Sequence, residues 1–492
     1  MPVAHPRRWL ILFVILAAEC MDLLDGTIVN VAAPTIHHDL RTSSTALQWI
    51  IGGYPLAIAV GLITGGRLGD LFGRRRLFVI GAAGFTLASV LCGLAPSTGA
   101  LIGARLLQGV AGALMLPQGL GIIREVFPGD ELPKAFGVFG PVMGSAALLG
   151  PIVGGGLIGL DLFGSGWRMV FFINLPLGIA AVIGAVRLVP ESRSDKAAKL
   201  DIGGVGLVSA AAVLLVYPLI QGRELGWPVW TYVSMAASVA AFGLFWLHLA
   251  RRVRTGGDPL VIPSVFTHRG YSGGLLVLTL FFVGMIGSSL ALTLFLQIGQ
   301  GYSAIHAGLT FIPLSLGVAV AAPLSGGLLM PRVGGRLPIQ AGGVVSLAGY
   351  GAVIAAVHGA GHVSSWDVLP GLLVIGLGMG LFIAPLFDTI LAAVTDAETG
   401  SASGVLNALQ QLAGAIGVAV LGTVFFTAVS HGGFGSGLER TLWWQLGLTT
   451  AMLAASTLLP KWARDPADAL AGAAGTDAQV AGESTRVPEL AA

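Results

Sequence analysis

The sequence predicts an all-helical membrane protein that crosses the bilayer about fourteen times. Its 492 residues are 55% hydrophobic and only 10% charged, with a mean hydropathy of +0.86. A soluble globular protein carries roughly 25% charged residues, so most of this chain must face lipid or other helices within lipid. The 74 glycines fit that setting, because small residues let membrane helices approach one another closely.

Apolar stretches of the length that a membrane-spanning helix needs, about 20 residues, follow one another along the chain. They are far too long for barrel strands, so each is predicted to be a helix. The predicted spans are 9–31, 47–68, 77–95, 99–123, 136–160, 167–189, 202–221, 229–250, 271–297, 304–329, 338–358, 366–394, 402–428 and 441–460.

Lys and Arg gather on one side of these spans, the side of Arg7, Arg8 and Arg74 to Arg76. Cytoplasmic loops carry such an excess, so both termini are predicted to be cytoplasmic in a multi-pass protein of a bacterial cytoplasmic membrane. The tail after residue 462 lacks apolar periodicity, and it is predicted to be disordered in the cytoplasm.

An internal repeat divides the chain into two related halves. The loop after the second span matches the loop after the tenth at a constant offset of 261 residues, and secondary transporters are commonly built from such repeats. The matched pairs are Gly66 and Gly327, Leu68 and Leu329, Gly73 and Gly334, and Arg75 and Arg336. We therefore predict a six-helix bundle at 1–194, two linking helices at 195–262, a second six-helix bundle at 263–462 and the tail at 463–492.

Several classes of protein are excluded or disfavoured by what the sequence lacks. It has no GxxxxGK[ST] loop for ATP, and its net charge of +2 gives no support for nucleic acid binding. Cys20 and Cys92 lie in separate apolar stretches and are interpreted as small core residues. No nucleophile paired with a base and no metal-ligand cluster stands at a span end, so we expect neither an enzyme nor a cofactor or metal.

The first span carries three acidic residues, Glu19, Asp22 and Asp25. Their spacing places them within an arc of about 120° on one helix face, which we expect to line a central cavity rather than lipid. Ionisable groups inside a membrane are by default candidates for function. We predict that Asp25 is the main proton site, helped by Asp22 and Glu19; the alternative is that these acids only stabilise the span.

Arg105 in the fourth span cannot lose its proton and needs an acceptor, either the first-span carboxylates or backbone carbonyls. We predict that its charge governs proton release from those carboxylates, the alternative being a purely structural tie between spans. Substrate contacts are predicted for Asp22, Asn30, Gln108 and Asp388, although Asp388 lies near a span end, where solvation is an equal alternative.

Several segments resemble the motifs of one family, the fourteen-span drug:proton antiporters of the major facilitator superfamily. They occur in the expected order over most of the chain, with one departure, Leu71, where a basic residue is common. The segments are LDGTIVNVAAP (24–34), GRLGDLFGRRR (66–76), RLLQG (105–109), GPIVGG (150–155), WR followed by FINLPLG (167–178), LD with a following Gly (200–204) and NALQQLAGAIG (407–417).

The resemblance implies a major facilitator fold with two six-helix bundles and two linking helices. It also implies proton-coupled efflux of small hydrophobic molecules, including cationic ones, by a monomer in the lipid bilayer. An importer or metabolite carrier of the same fold is the alternative. Gating roles follow for Gly66, Asp70, Gly73, Arg74 and Arg75 in the loop and for Gly150, Pro151, Gly154 and Gly155 in the fifth span.

Overall fold

The computed structural model describes residues 5–127, 131–193, 200–359, 362–395 and 398–462. Every regular element within these ranges is a helix, and they contain no strand. The all-helical fold class predicted from the apolar stretches is therefore confirmed. The predicted disordered tail at 463–492 lies outside the described residues.

Thirteen long helices make up the part of the chain that the structure describes. Eleven of them are long and apolar enough to cross a membrane, and the acid-bearing first helix and the fifth complete the set. In chain order they are α1 Arg8–Asp39, α2 Ser44–Phe72, α3 Arg74–Gly93, α4 Thr98–Val126, α5 Leu132–Leu160, α6 Gly166–Leu188, α7 Ile202–Gln221, α8 Val229–Arg254, α9 Arg269–Gly299, α10 Ala304–Val333, α11 Arg336–Val357, α12 Ser365–Ala392 and α13 Thr399–Ser456.

Helix α13 is long enough for two crossings, and its backbone breaks at Gly433, where φ is 78° and ψ is −177°. The chain turns back at this point, since a Cβ built on Gly437 would lie only 2.6 Å from the side chain of Val429. The arms 399–432 and 434–456 therefore supply the thirteenth and fourteenth crossings. The sequence placed a loop between 428 and 441, but glycine at a left-handed φ reverses the chain almost without one.

The repeat seen in the sequence recurs in the backbone. Gly73 ends α2 with φ 106°, and Gly334 ends α10 with φ 80°. These two glycines are a matched pair at the offset of 261 residues, and both hold a conformation that L side chains rarely adopt. Equivalent turns thus join equivalent helices in the two halves.

Helices α1–α6 form the first half and α9–α13 the second. Within the first half α4 packs against α2 and α3, and α1 packs against α5; within the second α13 packs against α9, and α12 against α10 and α11. Helices α7 and α8 pack against each other, and α7 also contacts α2 and α13. These contacts fit the predicted linking pair, and the domain boundaries stay a prediction.

The two halves meet near the end of α1. We name the faces of the bundle after the first and last residues of α1, the Arg8 face and the Asp39 face. Toward the Asp39 face Gln48 of α2 donates hydrogen bonds to the backbone oxygens of Val418 and Ala419, at 3.0 and 3.3 Å. In the reverse direction Gln297 of α9 donates to the oxygen of Val31, at 2.9 Å. We call these contacts the glutamine clasp.

Candidate functional site

A buried ion pair lies inside the first half. Arg105 of α4 donates through Nη1 to Oδ2 of Asp25 on α1, and the two side chains are 1% and 0% exposed. The guanidinium Nε also donates to the backbone oxygen of Ile50, at 3.1 Å. Both acceptor types that the sequence offered to Arg105, a first-span carboxylate and a backbone carbonyl, are therefore in use.

Two amide side chains complete the coordination of Asp25. Gln108 Nε2 and Asn174 Nδ2 donate to Asp25 Oδ1 at 2.8 and 2.9 Å, and both also donate to Ser89 Oγ at 2.8 and 3.2 Å. Gln108 Oε1 in turn accepts from Arg105 Nη1 at 2.7 Å. We call these five residues the charged cluster; they join α1, α3, α4 and α6.

The energetics of the charged cluster follow from its burial. An ion pair out of water is tolerated only when its remaining donors and acceptors are satisfied, as they are around Asp25. Removing one partner of such a pair typically costs about 3–5 kcal/mol, because the other charge is left uncompensated. The cluster therefore acts as one unit, and a single neutralised member affects all the others.

The other acids of α1 do not join this cluster. Glu19 is half-buried near Gly119 of α4, where an added Cβ would lie 2.8 Å from the carboxylate, and Asp22 accepts a hydrogen bond from the hydroxyl of Tyr54 on α2. The expectation that all three acids share one cavity face is thus corrected for Asp25. Asp25 lies about 120° around the helix from Glu19, so its side chain points into the first six-helix bundle.

Open space adjoins α1 about one helical turn from Asp22, toward the Asp39 face. A Cβ built on Gly26 would meet no atom within 4 Å, and Gly26 is exposed. One turn further on is Asn30, whose side chain is 7% exposed and whose Oδ1 has no hydrogen-bond partner among the described residues.

Two residues predicted to contact substrate lie elsewhere. Gln108 is 0% exposed with both ends of its amide engaged in the charged cluster, so the predicted substrate contact does not fit this placement. Asp388 is exposed near the Arg8 face of α12, which fits the solvated alternative as well as a substrate contact.

The loop between α2 and α3 is held by a local ion pair. Asp70 Oδ1 lies 2.9 Å from Arg74 Nη2, and Arg74 also donates to the backbone oxygen of Gly121 on α4, at 3.2 Å. Arg75 donates to the backbone oxygen of Val186 on α6. In this conformation Asp70 orients Arg74 across the ends of α3 and α4.

Gly73 in that turn and Gly66 within α2 differ in how closely they are packed. An added Cβ on Gly73 would lie 2.4 Å from Glu191 Oε1, and one on Gly66 would lie 3.6 Å from the side chain of Pro117. Gly73 therefore admits no larger residue without a shift of its neighbour, whereas Gly66 is in ordinary contact.

The glycines of α5 lie between two helices. An added Cβ on Gly150 would meet Thr27 Oγ1 of α1 at 1.9 Å, and one on Gly154 would meet Ile28 at 3.0 Å. On the opposite side a Cβ on Gly155 would lie 2.5 Å from the oxygen of Ala304, at the start of α10.

The contact between α5 and α10 continues at Pro151. A Cβ on Gly308 of α10 would lie 2.5 Å from the backbone oxygen of Pro151. Small residues thus bring the two halves into backbone contact on the Asp39 face, beside the glutamine clasp.

Two carboxylates outside the membrane-spanning segments bind residues in the loops that join helices. Asp201 precedes α7, and it accepts from the backbone N–H of Gly204 at 3.0 Å and of Leu260 at 3.2 Å, and lies 2.8 Å from His248 Nε2. Burial raises the pKa of Asp201, but these hydrogen bonds outweigh it, and the pKa lies below its ordinary value.

Glu398 precedes α13 and anchors the second half. It accepts from Ser264 Oγ and from Thr395 Oγ1, the latter at 2.8 Å, and lies 3.1 Å from His268 Nε2. These hydrogen bonds, that of Ser264 first, lower the pKa of Glu398 to about 2.

Sequence reasoning missed two side chains of the charged cluster. Ser89 and Asn174 were not assigned to it, although Asn174 lies within one of the quoted motifs. Each is a polar residue within an otherwise apolar helix, and that signal could have identified them. Which of the neighbouring helices each one faces depends on helix rotation, which a single sequence does not give.

Helical crossings in two related halves, with ionisable side chains buried among them, are typical of the class of secondary transporters. The chain belongs to the major facilitator superfamily, since the model of that family matches residues 15–418. It is accordingly a multi-pass membrane transporter and not an enzyme, and the family predicted from the motifs is confirmed.

Relatives with known names cover most of the chain. A probable actinorhodin transporter of Streptomyces coelicolor is 50% identical over 86% of this chain and 74% of its own length. A puromycin resistance protein of Streptomyces alboniger is 40% identical, over 85% of this chain and 82% of its own. A tetracenomycin C resistance and export protein of Streptomyces glaucescens is 36% identical, over 86% and 77%.

Solved structures share the fold. An auto-inhibited peptide transporter of the POT family matches with a TM-score of 0.67, covering 92% of this chain and 96% of its own. Its sequence identity is 16%, so this likeness bears on the fold alone.

Proposed function

We propose that this protein exports small hydrophobic, antibiotic-like molecules from the bacterial cytoplasm in exchange for protons, by alternating access. Three relatives are named for the transport of, or resistance to, an antibiotic, which supports export over import. The observation that carries the proton coupling is the buried Asp25–Arg105 pair, one helical turn from the carboxylate of Asp22.

The direction of the chain in the membrane follows from its basic residues. Arg8, Arg74 and Arg75 lie on the Arg8 face, which we take as cytoplasmic, with both termini on that side. The Asp39 face is then external. The glutamine clasp and the α5–α10 contact close the external face in this conformation.

Asp25 is the proton site of this proposal. With the external face closed, its carboxylate is held by Arg105, Gln108 and Asn174. In the outward-open conformation a proton binds to Asp25 and cancels the attraction to Arg105. Arg105 then releases α1, and α1 and α4 can move relative to each other until the proton leaves toward the cytoplasm.

The substrate binds beside α1 between the halves. Asp22 and Glu19 provide negative charge for cationic substrates, Gly26 leaves room for an apolar body, and the free carbonyl oxygen of Asn30 accepts a hydrogen bond. Asp388 lies near the cytoplasmic mouth, where it meets cationic substrates first.

Two gates complete the cycle. On the cytoplasmic face Asp70, Arg74 and Arg75, with the turn at Gly73 and the neighbouring Gly66, control closure, because they connect the ends of α3, α4 and α6. On the external face Gly150, Pro151, Gly154 and Gly155 allow α5 to separate from α10. We propose that a monomer in the lipid bilayer suffices, since one chain supplies all the residues of both gates.

The test uses inverted membrane vesicles with an acid lumen and a pH-sensitive dye. Addition of cationic and neutral hydrophobic drugs is expected to trigger loss of protons from vesicles that hold the wild-type protein. Asp25→Asn removes the proton site and should abolish this response. Glu125→Gln, which neutralises an exposed carboxylate at the end of α4, is the matched control and should leave it unchanged.

Either of two results contradicts the proposal. If no drug triggers proton movement in the wild type while radiolabelled drug is still transported, export is not coupled to protons. If Asp25→Asn responds like the wild type, the proton binds elsewhere, and Asp22 and Glu19 are the next carboxylates to replace.

A further inference from the structure

Tyr54 of α2 lies between the two charged regions of the site. Its hydroxyl donates to Oδ1 of Asp22, and the guanidinium carbon of Arg105 lies 4.2 Å from the centre of its ring. The side chain is 3% exposed. One residue therefore contacts the carboxylate of the proposed substrate site and the arginine of the charged cluster.

The ring packs against α3 and α4 in this position while its hydroxyl is bound to Asp22. Phe85 of α3 meets it edge-on, with ring centres 6.1 Å apart. On α4, Gly109 approaches α2 so closely that an added Cβ would lie 2.5 Å from the backbone oxygen of Tyr54. Arg105 is one turn before Gly109 on the same face of α4, which brings its guanidinium over the ring.

The ionisable groups that face Tyr54 come from two helices, Asp22 and Asp25 from α1 and Arg105 from α4. Cys92 of α3 is further back, with its thiol 3.7 Å from Gln108 Oε1. Among the described residues, no hydrogen bond or ion pair joins Asp22 directly to Arg105, and Tyr54 contacts both.

We infer that Tyr54 is a positioning residue that couples the binding of a cationic substrate at Asp22 to the Asp25–Arg105 ion pair. This inference rests on the proposed function and names one more part of it. When a cation binds the Asp22 carboxylate, it competes with the Tyr54 hydroxyl for the same oxygen. The ring then turns away from its place beneath Arg105, and the interaction between the ring face and the guanidinium weakens.

No proton leaves Tyr54 in this scheme. The hydroxyl exchanges one acceptor for another, and the proton that crosses the membrane is the one on Asp25. A neutral substrate does not compete for the Asp22 carboxylate, so its transport does not depend on the hydroxyl. Transport of cationic substrates should therefore depend on the Tyr54 hydroxyl, whereas transport of neutral substrates should not.

Tyr54→Phe tests this directly, because it keeps the ring over which Arg105 lies and removes only the hydroxyl. In the vesicle assay we expect proton release triggered by a cationic drug to fall by about tenfold, as for loss of a hydrogen bond to a charged group. Release triggered by a neutral drug should stay within about twofold of the wild type, because its binding makes no use of that bond.

The matched control is Tyr350→Phe, which removes the same hydroxyl from a tyrosine that is 5% exposed in the second half. It should change neither response. The melting temperature of each variant in detergent verifies folding, and the ratio of protons released to drug transported separates coupling from simple loss of transport.

Three outcomes of these experiments would contradict either the role of Tyr54 or the proposed function. Equal loss for cationic and neutral drugs would show a merely structural role and overturn the inference. An unchanged response to cationic drugs in Tyr54→Phe would overturn it as well. A wild-type protein that releases no protons with any drug would instead overturn the proposed function, and the two failures are thereby distinguished.

Discussion

The two halves of the protein build polar clusters of opposite character on equivalent helices. In the first half the cluster holds a full ion pair, Asp25 with Arg105. In the second half the buried polar side chains between α9, α11 and α13 are neutral; they are Ser288, Ser346, Tyr350, Gln445 and Thr449. At the repeat offset of 261 residues Ser89 of the charged cluster corresponds to Tyr350.

The neutral cluster is also less tightly filled. Gln445 Nε2 donates to Thr449 Oγ1 at a long 3.3 Å, and a cavity of about 10 Å³ remains beside it, with Phe281 and Phe382 in its wall. That is close to the space one water molecule needs. The comparison indicates that a duplicated scaffold tolerates either cluster, which fits our proposal that the charges of the first half serve transport and not folding.

The largest expected effect comes from breaking the ion pair on one side. Arg105→Gln leaves the Asp25 carboxylate buried without its cation, and we expect a loss of about 3–5 kcal/mol in the free energy of unfolding and no transport. In Asp25→Asn/Arg105→Gln both charges are gone, so most of that stability should return while transport stays absent. Thermal melting in detergent and the vesicle assay measure the two quantities.

Stability that stays low in the double variant would mean that the ion pair is needed for the fold itself. A wild-type melting temperature in Arg105→Gln would mean that Asp25 takes up a proton as soon as its partner is lost. Either result would contradict the contrast drawn between the two halves.

A smaller loss of stability is expected when one glutamine in each cluster is replaced by leucine. Gln108→Leu removes donors and acceptors from Asp25 and Arg105, and should cost about 2–3 kcal/mol because charged groups lose their hydrogen bonds. Gln445→Leu, in the neutral cluster, should cost about 1 kcal/mol or less, since the leucine also fills part of the cavity. Equal losses of stability would show that the charge makes no difference.

The smallest expected effect concerns a charged group of the second half that lies outside the membrane, the carboxylate of Glu398. The pKa of Glu398 is lowered from an ordinary 4.5 to about 2, so its hydrogen bonds stabilise the fold fully above pH 4.5. That contribution is lost as the pH falls from about 4.5 to about 2. Glu398→Gln should remove this part of the slope of melting temperature against pH, and an unchanged slope would exclude Glu398 as its source.

The sequence predicted the fold through features that act locally. Length and hydropathy placed the spans, and the matched glycines Gly73 and Gly334 pointed to the two halves, because a turn of left-handed φ strongly favours glycine. The reversal at Gly433 was missed as a tight turn, since one glycine among several in that segment carries no distinct signal.

The site was predicted only in part for a different reason. Asp25 and Arg105 stand out because a charge in a span needs a partner. Gln108, by contrast, was assigned to the substrate, although it belongs to the ion pair. Helical spacing gives the angle between residues of one helix, but the rotation of that helix against its neighbours comes from packing over the whole bundle.

The glutamine clasp restricts which residues homologous sequences can substitute. Gln48 binds the backbone oxygens of residues 418 and 419, and every amino acid presents such an oxygen. An added Cβ on Gly422 would lie 2.3 Å from the Gln48 amide, so this glycine is constrained with the glutamine. In an alignment of homologues, positions 48 and 422 should therefore be invariant together. Positions 418 and 419 should vary among residues that fit the buried core, without covarying with position 48.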